Sequence, residues 1–194
     1  MYPSHNTILY NLFLHPQQAF RNIIQARPLS LMISVFLGAR LSHNIGRSLV
    51  WSNSSFMGKT MFLFGLGGEI IVILMLWVIF TCTCHFAAQL MGGKGDGQDL
   101  FIGFGFASLP LALVTPISLI AVSCSKCKLL IWLVSIFFVF LWSLMLKLIA
   151  IREIYNLDFG KAVLVMLLPV LVFGGMMCLF PMISLIPFLV FGAI

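Results

Sequence analysis

The feature that most constrains this chain is the length of its uncharged runs. There are 24 uncharged residues between Glu69 and Lys94, 26 between Asp99 and Lys126, 18 between Lys128 and Lys147, and 33 after Lys161. A helix crosses the hydrocarbon core of a bilayer with about 20 mainly apolar residues. A soluble domain could not hide such runs: with 61% hydrophobic and 8% charged residues the 194-residue chain would expose large apolar patches. A membrane β-barrel would alternate apolar and polar residues in segments of about ten, and these solid runs do not. The fold class that follows is all-α, an integral membrane bundle whose backbone polar groups are satisfied within its helices.

Five spans are predicted, at about 28–48, 68–91, 100–123, 129–152 and 162–180. The first is the weakest, with 12 uncharged residues from Pro28 before Arg40, then His43 and Arg47. Those residues cover roughly 18 Å, which places Arg40 near the far interface with its side chain snorkelling outward. Residues 48–59 read as a polar connection. The third span holds Pro110 and Pro116 and is expected to be the kinked centre of the bundle. A straight helix over the last 33 residues would measure about 50 Å, so the chain is expected to break near Pro181. That leaves an apolar tail, 182–194, too short to cross and read as re-entrant or interfacial. Residues 1–27 read as an interfacial segment broken near Pro16, with Leu12, Leu14, Ala19, Phe20, Ile23 and Ile24 on one face. The amino terminus has no basic region before its apolar residues and no small-residue cleavage site, so no signal peptide is expected.

The net charge of +6 is spread along short loops and forms no basic patch for nucleic acid; it suits anionic lipid head groups. With five spans, Lys and Arg number six on the amino-terminal side (21, 27, 94, 147, 152, 161) and five on the other, so the positive-inside bias towards a cytoplasmic amino terminus is small.

Short patterns with catalytic overtones dissolve on inspection. NSSFMGKT, residues 53–60, ends like a phosphate-binding loop but has Asn53 in place of the first glycine, and no soluble sheet surrounds it. GGKGDG, with Gly92, Gly93 and Gly95, lacks the spacing and strand-turn-helix setting of a dinucleotide loop and reads as a tight link between membrane helices. Cys124 and Cys127 form a CxxC with no second ligand pair, which makes them weak zinc candidates or a strained disulfide. Cys82, Cys84 and His85 point in diverging directions on one helix. No nucleophile and base pair stands out, and neither enzyme activity nor a cofactor is expected.

Ionisable residues at membrane depth are functional candidates by default. Here they are Glu69, Arg40 and His85, with Arg40 placed to pair with Glu69 and His85 read as a neutral histidine bonded to another helix. Gly103 with Ala107, and Gly174 with Cys178, make small-xxx-small faces suited to helix contact.

The order of the local patterns HPQQAFRNIIQARP, HFAAQLMGGKGDGQDLFIGFGFASLP and IREIYNLDFGKAVLVMLLP resembles the Yip-one domain family of membrane proteins, especially its bacterial members. The resemblance runs from about His15 to Phe180. The family's third-span motif GYxxxP is matched by Gly105, Phe106 and Pro110, with phenylalanine for tyrosine. What it implies is a five-span architecture with a cytoplasmic amino terminus in the bacterial plasma membrane, and GGKGDG and the turn after Tyr155 on the cytoplasmic face. Eukaryotic relatives carry a DLYGP-like motif and associate with Rab GTPases; that motif is absent here, and Rab binding does not carry over. Two functions remain: a non-enzymatic membrane protein that binds lipids, other membrane proteins or its own copies, or a small transporter or channel built on Glu69, His85 and Arg40.

Overall fold

The protein is described from a computed structural model, which covers residues 5–51, 57–124 and 127–172, excepting the side chains of 5–7, 51, 57–67 and 69. It is all-helical, with no strand among the described residues. Two short helices, α1 (His5–Leu14) and α2 (Pro16–Ala26), precede α3 (Leu29–Trp51) and α4 (Met57–Leu90). Then come α5 (Gly97–Phe106), a 3-10 turn (Leu109–Leu113), α6 (Val114–Ser123), α7 (Lys128–Tyr155) and α8 (Phe159–Val172). Among the described residues three stretches are long and apolar enough to cross a membrane: Ile70–Leu90, Gly97–Ser123 and Lys128–Tyr155.

The middle stretch is the most buried of the three and forms the centre of the bundle. It is not one rod. The α-helix ends at Phe106 and re-forms at Val114. Both prolines lack the N–H that would close a helical hydrogen bond, and in each case a neighbouring helix supplies the missing donor. Pro110 cannot donate to the carbonyl of Ala107, three residues back, and the Ser143 hydroxyl of α7 donates to it at 2.8 Å. Pro116 cannot donate to the carbonyl of Ala112, and the Ser42 hydroxyl of α3 donates there at 2.7 Å. Ser42 also accepts from the Thr115 N–H, and the Thr115 hydroxyl donates to the Ser42 carbonyl at 2.7 Å. The kink is thus tied to both flanking helices, the compensation that allows a broken helix at membrane depth. Only Pro110 lies in the break; Pro116 sits in the opening turn of α6 without interrupting it.

Small residues let the rods close on this centre. Gly103 faces Ala150 and Ile154 of α7 and Phe20 of α2, and a side chain on Gly105 would collide with Met32 of α3. Above them Phe36, Trp77 and Phe101 stack in series, with centroids 4.5 and 4.0 Å apart.

Two expectations are corrected. The polar connection expected over 48–59 narrows to 52–56, which lie outside the described residues, because α3 runs on to Trp51 and α4 begins at Met57; the apolar crossing stretch within α4, Ile70–Leu90, falls where the second span was expected. No proline or capping break occurs between Met57 and Glu69, and Lys59, in the first turn, needs no loop to reach a polar phase. Arg40 lies mid-helix in α3, which continues to Trp51, with its guanidinium over the Phe36 ring at 5.3 Å. The amino-terminal segment does break at His15–Pro16, but it is packed into the core: Ile8, Leu12, Ala19, Phe20 and Ile23 are buried, whereas Leu14 is exposed. Phe13 meets Trp142 of α7 edge to face. Gly174, Cys178 and the 182–194 tail lie outside the described residues.

Candidate functional site

The polar groups concentrate at the end of the bundle where α2 meets α3, α4 turns into α5 and α7 stops. The turn begins with Gly92 at φ 85°, a left-handed conformation that glycine adopts without strain. Asp96 then caps α5, its carboxylate accepting from the Gln98 N–H at 3.1 Å. Between them the backbone crosses the end of α7 closely. A side-chain carbon on Gly93 would lie 2.9 Å from the Tyr155 side chain, and one on Gly95 would lie 2.6 Å from the Ile154 carbonyl.

Tyr155 is the object of that close approach. It is 1% exposed, and its hydroxyl shares a hydrogen bond with Nδ1 of His85 on α4. The bond joins the two long helices at their ends, under the glycine turn. Immediately after it Asn156, at φ 52°, and Leu157 direct their N–H groups back to the Arg152 carbonyl, closing α7 with a left-handed cap.

Arg27, the left-handed cap of α2, reaches across to the same turn. Its Nη2 donates to Asp96 at 2.9 Å and to Asp99 at 3.1 Å, and Nη1 to Gln98 at 3.4 Å. Nε stands 2.7 Å from Oδ1 of Asp99, an ion pair rather than a well-directed hydrogen bond. The Asp99 side chain is only 7% exposed, so this guanidinium is what makes its burial tolerable. Asp99, by hydrogen bond and by charge, raises the Arg27 guanidinium further above its usual range. The Gln98 N–H, and after it the charge of Arg27, hold the Asp96 carboxyl below the usual carboxylate range. A second tie, Arg21 Nε to Glu153 at 2.8 Å, joins α2 to α7 with the Glu153 side chain 8% exposed.

Deeper, the cations are flanked by rings. Arg40 lies over Phe36, and the ammonium of Lys147 stands 5.8 Å from the Phe80 ring centroid. Sequence reasoning placed Lys147 among the end charges; it lies eight residues inside α7, about 12 Å from Tyr155. The signal that could have found it is a lone lysine with apolar residues for two turns on its amino-terminal side.

The residues singled out in the sequence therefore separate. His85, Gly92, Gly93, Gly95 and Tyr155 form one assembly, and Gly105, Phe106 and Pro110 line the central break. Arg40 belongs to the aromatic stack, while the side chain of Glu69, and with it the expected Arg40–Glu69 pair, lies outside the described residues. Cys124 and Cys127 are exposed free thiols in the α6–α7 link. Arg27, Asp96, Asp99, Arg21 and Glu153 were missed as a group, because the pairing joins positions about 70 or more apart.

An all-helical chain with several apolar helices of crossing length, a broken central helix and a polar lock at one end is an integral, multi-pass membrane protein. The family model of the Yip1 domain matches residues 10–180, and the chain belongs to that family. Searches of curated proteins and of solved structures found no match to it.

Proposed function

We infer that the protein is a non-enzymatic membrane component that works by binding membrane partners, lipids or further copies of itself. It spans the plasma membrane five times with its amino terminus and polar lock in the cytoplasm. The observation that carries this reading is the use of the buried charge at that end. Asp99 and Glu153 each pair with an arginine of α2, Asp96 is both a cap and an ion-pair partner, and His85 is bonded to Tyr155. Groups of this kind serve acid-base chemistry when they face an accessible cleft; here they tie helices together. What the chain offers its surroundings is a long apolar surface, including Ile71, Met75, Phe86, Leu130, Phe137 and Phe138.

The transporter reading asks Glu69, His85 and Arg40 to share a pathway. His85 is engaged at the end of the bundle and Arg40 lies over Phe36 deeper in, which supports the binding reading instead. The test is purification of the native protein with its lipids and proteins identified by mass spectrometry, alongside flux in proteoliposomes. Specific co-purification without flux is expected; flux abolished by His85→Ala or Glu69→Gln overturns the reading.

A further inference from the structure

The link between α6 and α7 carries a thiol pair that neither the polar lock nor the central break uses. It joins two crossing stretches, Gly97–Ser123 and Lys128–Tyr155, and so stands outside the apolar phase. Cys124 and Cys127 are both exposed and both free. The other described cysteines are placed differently: Cys84 is fully buried, and Cys82 lies within the crossing stretch Ile70–Leu90. A reagent carried in water therefore meets the link pair first.

The backbone holds the two cysteines together. The Cys127 N–H donates to the Cys124 carbonyl at 3.1 Å, and a bond of this kind keeps the Cα atoms at its two ends within about 7 Å. A disulfide bridges Cα atoms about 4.4–6.8 Å apart. Each cysteine is also anchored to its own helix. The Cys124 N–H donates to the Ala121 carbonyl at the end of α6, at 3.1 Å, and the Cys127 carbonyl accepts from the Ile131 N–H in the first turn of α7, at 3.0 Å. A crosslink over so short a loop constrains the unfolded chain less than a long one does, and exposed disulfides are the reducible ones, so this geometry favours reversible exchange over a permanent staple. Lys126 and Lys128 flank Cys127, and no Asp or Glu occurs between Asp99 and Glu153, so the charge offered to a substrate is positive.

We propose that Cys124 and Cys127 form a dithiol–disulfide exchange site whose substrate is a small anionic disulfide of the glutathione type. One cysteine, as its thiolate, attacks a sulfur of the incoming disulfide; that S–S bond breaks, one small thiolate leaves and takes up a proton, and a mixed disulfide remains on the chain. The second cysteine thiolate then attacks the chain sulfur of the mixed disulfide and expels the other small thiolate, which is protonated in turn. Two electrons pass from the pair to the substrate: two cysteine thiols become one disulfide, and one small disulfide becomes two small thiols. The side of the membrane on which this happens rests on the topology inferred above, which puts the link one crossing away from the cytoplasmic polar lock, where disulfides persist.

The full chain, purified in neutral detergent and reduced, is incubated with glutathione disulfide, quenched with a charged maleimide and weighed intact by mass spectrometry. The expected product has lost two reactive thiols and carries no glutathione. Cys124→Ser and Cys127→Ser should each retain one glutathione at roughly tenfold the wild-type occupancy, because only the wild type has a neighbouring thiol to resolve the mixed disulfide. Cys82→Ser should behave as the wild type, and oxidation should slow as salt screens the lysines. Thermal unfolding in the same detergent verifies that each variant is folded. A wild type that keeps two glutathiones, crosslinks between copies or stays fully reactive overturns the proposal. So does zinc or copper retained by the reduced chain with both thiols protected, which assigns the pair to a metal, and oxidation that salt does not slow overturns the anionic substrate. Labelling of the link by an impermeant maleimide is expected in intact cells; labelling only in inverted vesicles removes the inferred topology and leaves the exchange site standing. Failed exchange in detergent removes this site and leaves the binding function standing.

Discussion

Removing the Ser143 hydroxyl tests the account of the broken central helix. In Ser143→Ala the Ala107 carbonyl, in a fully buried residue, loses the donor that replaces the missing N–H of Pro110. A buried acceptor left unsatisfied costs about 1–3 kcal/mol, while interhelical hydrogen bonds in membrane proteins average about 0.6 and reach about 1.7 kcal/mol. The upper part of the membrane range applies, because the helix has no alternative donor for this carbonyl; about 1.5 kcal/mol is expected. Pro110→Ala restores an N–H that can donate to Ala107, and in that background the serine becomes redundant. The cycle of wild type, two single variants and the double variant should therefore show a coupling of about 1 kcal/mol, a five- to tenfold difference in unfolding equilibrium constant. Unfolding in mixed micelles with rising SDS fraction, followed by tryptophan fluorescence, reads it. Ser34→Ala, where an exposed hydroxyl bonds only within its own helix, should shift stability by less than about 0.5 kcal/mol. Strict additivity of Pro110→Ala and Ser143→Ala would falsify the reasoning, since it would mean that the serine does not compensate the proline.

The polar lock gives further tests. Tyr155→Phe keeps the ring under the glycine turn but removes the bond to His85, and should cost about 1 kcal/mol in the same unfolding assay; a much larger loss would show that Tyr155 acts mainly through packing. Gly95→Ala drives a methyl to 2.6 Å from the Ile154 carbonyl and Gly93→Ala one to 2.9 Å from Cβ of the buried Tyr155 and 3.0 Å from the Ala88 carbonyl, so in either variant the turn must lift from α7 and both should destabilise the protein, Gly95→Ala the more. Arg27→Gln should make the 1–27 segment sensitive to protease, an effect that high salt partly reproduces in the wild type because Arg27 and Asp96 are exposed. Asp96 is held below the usual carboxylate range, so its contribution is present above about pH 3.9 and is lost as pH falls through the lowered value. The contribution of Asp96 should thus be present and constant between pH 5 and 8, and below pH 4 the wild type should lose stability more steeply than Asp96→Asn.

What could be read from the sequence divides by range. The all-helical membrane class follows from uncharged runs, which need no knowledge of packing. The kink near Pro110 was legible because proline acts on its own turn, whereas Pro116 looked equivalent and is not: within the first turn of a helix the missing N–H interrupts no intrahelical bond. The apolar crossing part of α4, Ile70–Leu90, was legible, whereas its helical lead-in from Met57 was not, because a charge such as Lys59 near a helix end does not stop a helix. His85 was legible as a bonded histidine, but its partner was not. Tyr155 is 70 residues away, and only the fold brings the ends of α4 and α7 together.

The same arrangement explains how α4 and α7 are spaced at this end of the bundle. Two helices as apolar as α4 and α7 gain little by closing on each other in lipid, where apolar surface is no driving force for association. Their separation is set by what stands between them and what fixes their ends. Between them lies α5, held by Gly103 against α7 and by Gly105 against α3. At the end, the His85–Tyr155 bond and the turn from Gly92 to Asp96 fix α4 relative to α7. Lys147 stands in that setting beside the Phe80 ring, so Lys147→Leu, which removes an ammonium from membrane depth and keeps an apolar side chain against the ring, should leave the bundle folded and more stable in neutral lipid.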